Sequence, residues 1–138
     1  MKLKALLVAF ALTTSFLAGC SGGDGEIAVD SASAPLTSAG NDKLFTLRIV
    51  EARDGGYPID GLVVKATVDD KEPITITCVP TDTNANKALE KGEVLECTEA
   101  ATNQLDSSVA GKEIEIALTA KIDGEDVTVG TASWTPKK

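Results

Sequence analysis

Histidine is missing from the chain altogether, and aromatic residues are scarce: one Trp, one Tyr and three Phe in 138 residues. Without histidine there is no Ser-His-Asp or Cys-His arrangement, no ordinary general base near neutrality, and none of the commonest zinc ligand. Paired carboxylates could serve a glycosidase, but a domain this small offers little cleft and few aromatics to bind sugar. No glycine-rich phosphate cradle follows a strand and no Walker-type lysine motif occurs. Nor does any apolar run reach the roughly 20 residues that a membrane-spanning helix needs. These absences point away from an enzyme and away from a cofactor.

What is present begins at the N-terminus, with MKLKALLVAFALTTSFLAGC. Lys2 and Lys4 make a short basic start, Ala5 to Leu17 is mostly apolar, and small residues follow, which is the pattern of a secretory signal. Leu17-Ala18-Gly19-Cys20 resembles a bacterial lipobox. That resemblance implies that residues 1–19 are a lipoprotein signal peptide and that the thiol of Cys20 receives a diacylglyceryl group before cleavage ahead of it. The alternative is an ordinary exported protein whose signal ends in cysteine. Two or more acyl chains hold a protein stably at a bilayer, so the expected partner is a membrane, reached through Cys20. Ser21 follows where an aspartate commonly marks inner-membrane retention. The expected address is therefore the outer membrane of a Gram-negative cell, or else the outer face of the cytoplasmic membrane.

Gly, Ser, Ala, Asp and Pro dominate from Ser21 to Asp42. Such a composition buries too little surface to offset its ordering entropy. Residues 20–42 therefore read as the lipidated cysteine and a flexible tether, with a reach of about 25 Å as a coil. Residues 43–138 are of one-domain size. Loss of Lys2 and Lys4 with the signal would take the 13 basic residues to 11, against 21 acidic ones. So acidic a surface argues against nucleic acid and anionic glycans as partners and leaves an envelope protein as the possible macromolecular one.

Within residues 43–138, apolar residues alternate with polar ones. Phe45, Leu47 and Ile49 share a face, as do Leu62, Val64, Ala66 and Val68, then Ile74, Ile76 and Cys78. The longest series is Ile114, Ile116, Leu118, Ala120 and Ile122, with Glu113, Glu115, Thr119 and Lys121 opposite. A period of two describes half-buried antiparallel strands. Turn residues separate the runs at Asp54-Gly55-Gly56, Asp69-Asp70-Lys71 and Asp123-Gly124. Only NANKALEKG could pass for a helix, and it is too short to stand alone. The fold class expected is all-β, an antiparallel β-sandwich of about six to seven strands.

A second resemblance lies in RDGGYPIDGLVVKATV, Arg53 to Val68, which is similar to the entry of bacterial Ig-like domains. Further on, Thr77, Cys78, Pro80, Leu89, Gly92, Glu93, Leu95, Cys97 and Thr98 resemble the repeat domains of unknown function found in bacterial surface proteins. Gln104-Leu105-Asp106 and Gly111 follow that pattern loosely, and here there is a single domain rather than a tandem array. The resemblance implies an Ig-like sandwich with a surface role, and it carries no chemistry.

Cys78 and Cys97 bracket the stretch richest in side chains that could hold a ligand. A redox reading needs a low-pKa thiol, usually in C-x-x-C spacing, which is absent. In an exported domain, two cysteines on inward strand faces should oxidise to each other. Asp82, Asn84, Asn86 and Glu93 reproduce positions 1, 3, 5 and 12 of an EF-hand calcium loop. Lys87 stands where that loop wants glycine, and strands rather than helices flank it. The expectation is therefore a solvent-exposed loop in which Asp82, Asn84 and Asn86 cap turns and Leu89 folds back as a plug. Those three polar residues are also the first candidates for contacting a partner. Trp134 is expected in the core; Tyr57 could lie in the core or on the surface.

Overall fold

The structure is a computed structural model in which residues 24–99 and 105–138 are described. Nine strands occur among them: β1 Glu26–Ser31, β2 Lys43–Glu51, β3 Tyr57–Pro58, β4 Val63–Thr67, β5 Ile74–Pro80, β6 Ala88–Leu89, β7 Val94–Thr98, β8 Ile114–Ile122 and β9 Glu125–Trp134. The described residues hold one short 3-10 turn, Ser107–Val109, which Asp106 caps by accepting from the Ser108 amide. That hydrogen bond, from side chain and backbone of Ser108, holds the Asp106 carboxyl below its usual pKa.

Seven strands form one antiparallel sheet in the order β9-β8-β4-β5-β7-β2-β1, and β3 and β6 form a small second one. β5 is the strand that turns the sheet into two layers. Its first half pairs with β4, Ile76 opposite Val64, and its second half pairs with β7, Cys78 opposite Cys97. One layer is then β4-β8-β9 and the other β1-β2-β7-β5, the C-F-G and A-B-E-D division of a seven-stranded immunoglobulin-type sandwich. On the far side the amides of Asp24 and Gly25 donate to the carbonyls of Thr128 and Val129, both at 2.8 Å. The two layers are thus joined through β5 on one side and by these two hydrogen bonds on the other, which gives a barrel-like closure.

Alternation fixes what lies between the layers. Ile114, Ile116, Leu118 and Ala120 of β8 are fully buried, as are Leu47 of β2 and Ala66 of β4. Trp134 packs on Phe45 with ring centroids 4.9 Å apart, and its indole N–H donates to the Ser31 hydroxyl at 3.1 Å. Trp134 is therefore core, as expected, and its one polar atom is satisfied. The hairpins follow turn chemistry: Asp123 and Gly124 both take positive φ between β8 and β9, as a two-residue type I′ turn requires. Asp69 and Asp70 do the same, with the Lys71 amide donating to the Val68 carbonyl at 2.9 Å.

One expectation needs correction. The supposed flexible tether supplies β1: Glu26–Ser31 pairs with β2, Val29 opposite Leu47, and Ile27 is buried. Leu36 is buried too, and Asp42 accepts from the backbone and hydroxyl of Thr37 at 2.6 and 2.8 Å. The described fold accordingly includes residues 24–42, which the sequence composition assigns to the tether. Only Ile27 and Val29 carry the alternation there; backbone pairing with β2, and the two bonds from Asp24 and Gly25 to β9, offset so small an apolar contribution. Tyr57, for which core and surface were both open, is fully buried and pairs with Leu89 across the β3–β6 bridge.

Candidate functional site

The loop from Thr81 to Glu93 leaves β5, crosses one end of the sandwich and returns as β7. Its base is clamped by the disulfide Cys78–Cys97, a bond between residues directly opposite on neighbouring strands. Just beyond the disulfide the Thr81 amide donates to the Val94 carbonyl at 2.8 Å.

Side chains then take the place of a regular ladder. Asp82 accepts from the amides of Asn86 at 3.3 Å and Lys87 at 2.7 Å. The Asn84 carbonyl oxygen accepts from the Asn86 amide, and that of Asn86 from the Ala88 amide, at 3.2 and 3.0 Å. These are the local side-chain-to-backbone turns that Asp and Asn favour. Asn84 and Asn86 turn their amide nitrogens to the two carboxylate oxygens of Glu90, at 3.1 and 2.6 Å. Leu89 is fully buried at the floor.

Glu93 does something the spacing does not reveal. It is buried, and one carboxylate oxygen accepts from the Thr83 amide and hydroxyl at 2.8 and 2.9 Å. The other accepts from the Glu90 amide at 2.6 Å. A carboxylate with three donors of this kind is a charge-assisted latch that draws both limbs of the loop together. Glu99 acts similarly at the opposite end, buried and accepting from the Leu105 amide at 2.9 Å.

The structure thus gathers Asp82, Asn84 and Asn86 into one network, while Glu93 accepts from Thr83 and the Glu90 amide and from none of those three. Glu90, which the spacing did not single out, closes the network. Lys87 needs a correction of its own, because its backbone has φ of 63°. The left-handed conformation that glycine would supply is adopted here by lysine, so the steric objection to a calcium loop does not hold. The flanking strands still set it apart from an EF-hand, and the Glu93 carboxylate is already engaged by Thr83 and the Glu90 amide. Among the described residues no three His, Cys, Asp or Glu side chains form a cluster.

Beside this loop, Asp24 and Arg53 form an ion pair at 3.2 Å over the buried Tyr57. The Tyr57 hydroxyl has Asp24 and the Arg53 backbone near it, yet meets no partner in hydrogen-bond geometry. Burial, and then the Asp24 charge, raise its pKa above the usual phenol value. A side chain on Gly25 would run into this hydroxyl and the Glu51 carbonyl, so only glycine lets the chain enter here.

A separate shallow depression of about 520 Å³ lies on the outer face of the β4-β8-β9 layer, lined by Thr67, Asp69, Asp70, Glu113, Glu115 and Ser133 among others. Lys112 hydrogen-bonds Asp69 at 2.7 Å and holds its carboxyl below the usual range. Glu72, from the same acidic turn, is exposed.

Leu17 to Cys20, the lipobox-like run, lie outside the described residues, as do Ala100 to Gln104. No helix among the described residues is long and apolar enough to cross a membrane. No protein-family model, curated protein or solved structure matches the chain.

Proposed function

We propose that this protein is a lipoprotein of the bacterial cell envelope, held in the membrane by acyl chains on Cys20, whose β-sandwich binds or scaffolds an envelope protein without catalysis. The observation that carries the reading is Leu17-Ala18-Gly19-Cys20 after a short basic and apolar leader. What supports a non-catalytic role is the use made of the polar groups. Asp82, Asn84, Asn86, Glu90 and Glu93 are engaged in holding their own loop. By its envelope address the protein belongs to the outer membrane of a Gram-negative cell or to the outer face of a single membrane.

The test is metabolic labelling with a fatty-acid analogue. Wild type should carry label and Cys20→Ser should not; equal labelling of both would end the anchoring reading. A second reading is a small periplasmic inhibitor or immunity factor that inserts a loop into an enzyme cleft. The disulfide-clamped, internally bonded Thr81–Glu93 loop favours it, since a preorganised loop loses little entropy on binding. The remaining alternative is an accessory subunit of a secretion or transport complex. Pull-down from envelope extract separates these readings by whether a lytic enzyme, a toxin or a secretion component is captured.

A further inference from the structure

We infer that the end of the sandwich carrying the Thr81–Glu93 loop is its membrane-apposed surface, and that the protein's partner-facing surfaces lie elsewhere. The inference rests on the anchoring reading above and adds an orientation to it. With a tether of some twenty residues, the domain could turn any face to the bilayer. The fold removes that freedom, because Asp24 and Gly25 are already hydrogen-bonded to Thr128 and Val129. Cys20 precedes Asp24 by four Cα–Cα steps, so the two Cα atoms lie within about 15 Å of each other whatever path the chain takes. The sandwich is longer than that leash. β8 alone has nine residues, which span about 27 Å.

Strand register shows what shares the Asp24 end. Glu26 lies opposite Glu51, so β2 ends there, and Arg53 pairs with Asp24. Lys91 pairs with Glu51 at 2.9 Å, and the Gly92 amide donates to the Ile49 carbonyl at 2.8 Å, placing the asparagine loop beside the entry point. The β8–β9 turn at Asp123 and Gly124 belongs to the same end, since Thr128 lies a few residues along β9. At the other end are the Val68–Lys71 turn, the Ser107–Val109 turn and the chain terminus, joined through Lys112–Asp69 and the Gly111 amide to the Pro136 carbonyl.

The membrane is the occupant because of the length of the leash, not because of attraction. Asp54, Asp82, Glu90 and Asp123 give this end an acidic character, with Arg53 and Lys91 each paired with a carboxylate and Lys87 exposed among them. Anionic headgroups would repel it. Chain connectivity enforces the contact, and the Asp82-Asn84-Asn86-Glu90 network has lipid headgroups as its neighbours. A soluble partner would instead meet the opposite end or the outer face of the β4-β8-β9 layer. In this orientation the second reading above, insertion of the loop into an enzyme cleft, loses the support that the loop's preorganisation gave it.

The experiment uses full-length lipidated protein, purified from membranes and reconstituted into phosphatidylcholine vesicles with a headgroup-labelled acceptor lipid in the outer leaflet. Donor dyes are attached in separate variants at Asp54→Cys and Lys91→Cys, near the entry point, and at Lys138→Cys, at the other end. Energy transfer should place the first two about 25 Å closer to the headgroup plane than the third, the length of the long strands. Equal distances at all three positions, in protein that floats with the vesicles, would overturn the orientation and leave the anchor intact. Protein that fails to float would overturn the anchoring reading, and this inference with it.

Discussion

Reduction of Cys78–Cys97 removes a covalent link while leaving every side-chain atom in place, so it isolates the crosslink better than a substitution at the fully buried Cys97 does. The two cysteines are 19 residues apart in sequence. On the chain-entropy model, a loop of that length withholds about 3 kcal/mol of freedom from the unfolded chain. The native state should change little. Thr77 opposite Thr98 and Pro80 opposite Leu95 continue the β5–β7 ladder on both sides of the bond. Domains of this size have total stabilities of roughly 5–15 kcal/mol, so the loss is a substantial share. It corresponds to a fall in Tm of roughly 10–20 °C. Circular dichroism with and without reductant should show it, with the folded spectrum unchanged below the transition. Thiol titration supplies the companion count. The mature lipoprotein should show no thiol before reduction and two after reduction and denaturation, because the Cys20 sulfur carries lipid. A Tm unmoved by reductant, or two reactive thiols in unreduced folded protein, would refute the reasoning.

Glu93→Gln should weaken the loop by about 1–3 kcal/mol, since the charge behind three hydrogen bonds is lost. Hydrogen exchange at the Thr83 and Glu90 amides should quicken, and unchanged protection there would count against the latch. Calorimetry with calcium at low ionic strength should show no tight binding; a micromolar Kd abolished in Asp82→Ala would show that the Asp82-Asn84-Asn86 spacing is a calcium site after all. For Tyr57, ordinary phenol ionisation lies at 10.0 and the folded value lies above it. A raised folded pKa gives stability that is fully present below the unfolded value and lost as pH rises through the folded one. Alkaline denaturation above pH 10 should therefore be delayed in Tyr57→Phe. The same change removes an unpartnered buried hydroxyl and should cost nothing at neutral pH, so a large destabilisation would mean that the hydroxyl has a partner.

Local pattern in the sequence was enough for the all-β class and for β2, β4, β5 and β8, because side chains that alternate in hydrophobicity need only a sheet with one dry face. It was also enough for the disulfide, for the buried Trp134 and Leu89, and for the turns at Asp69-Asp70 and Asp123-Gly124, where the chemistry is carried by residues close in the chain. β1 could not be read in this way. Ile27 and Val29 are too few to mark a strand, and what holds Glu26–Ser31 is backbone pairing with β2 and, at Asp24 and Gly25, with β9. Backbone groups leave no signature in residue type. Tyr57 is buried because Leu89, thirty-two positions later, closes over it. Asp82, Asn84 and Asn86 stood out by spacing, but the partner of that network, Glu90 rather than Glu93, depended on how the loop folds back between two strands. Spacing along a chain records which groups can meet within a turn or a strand; which of them do meet across the sandwich depends on register and closure, and these exist only once the chain is folded.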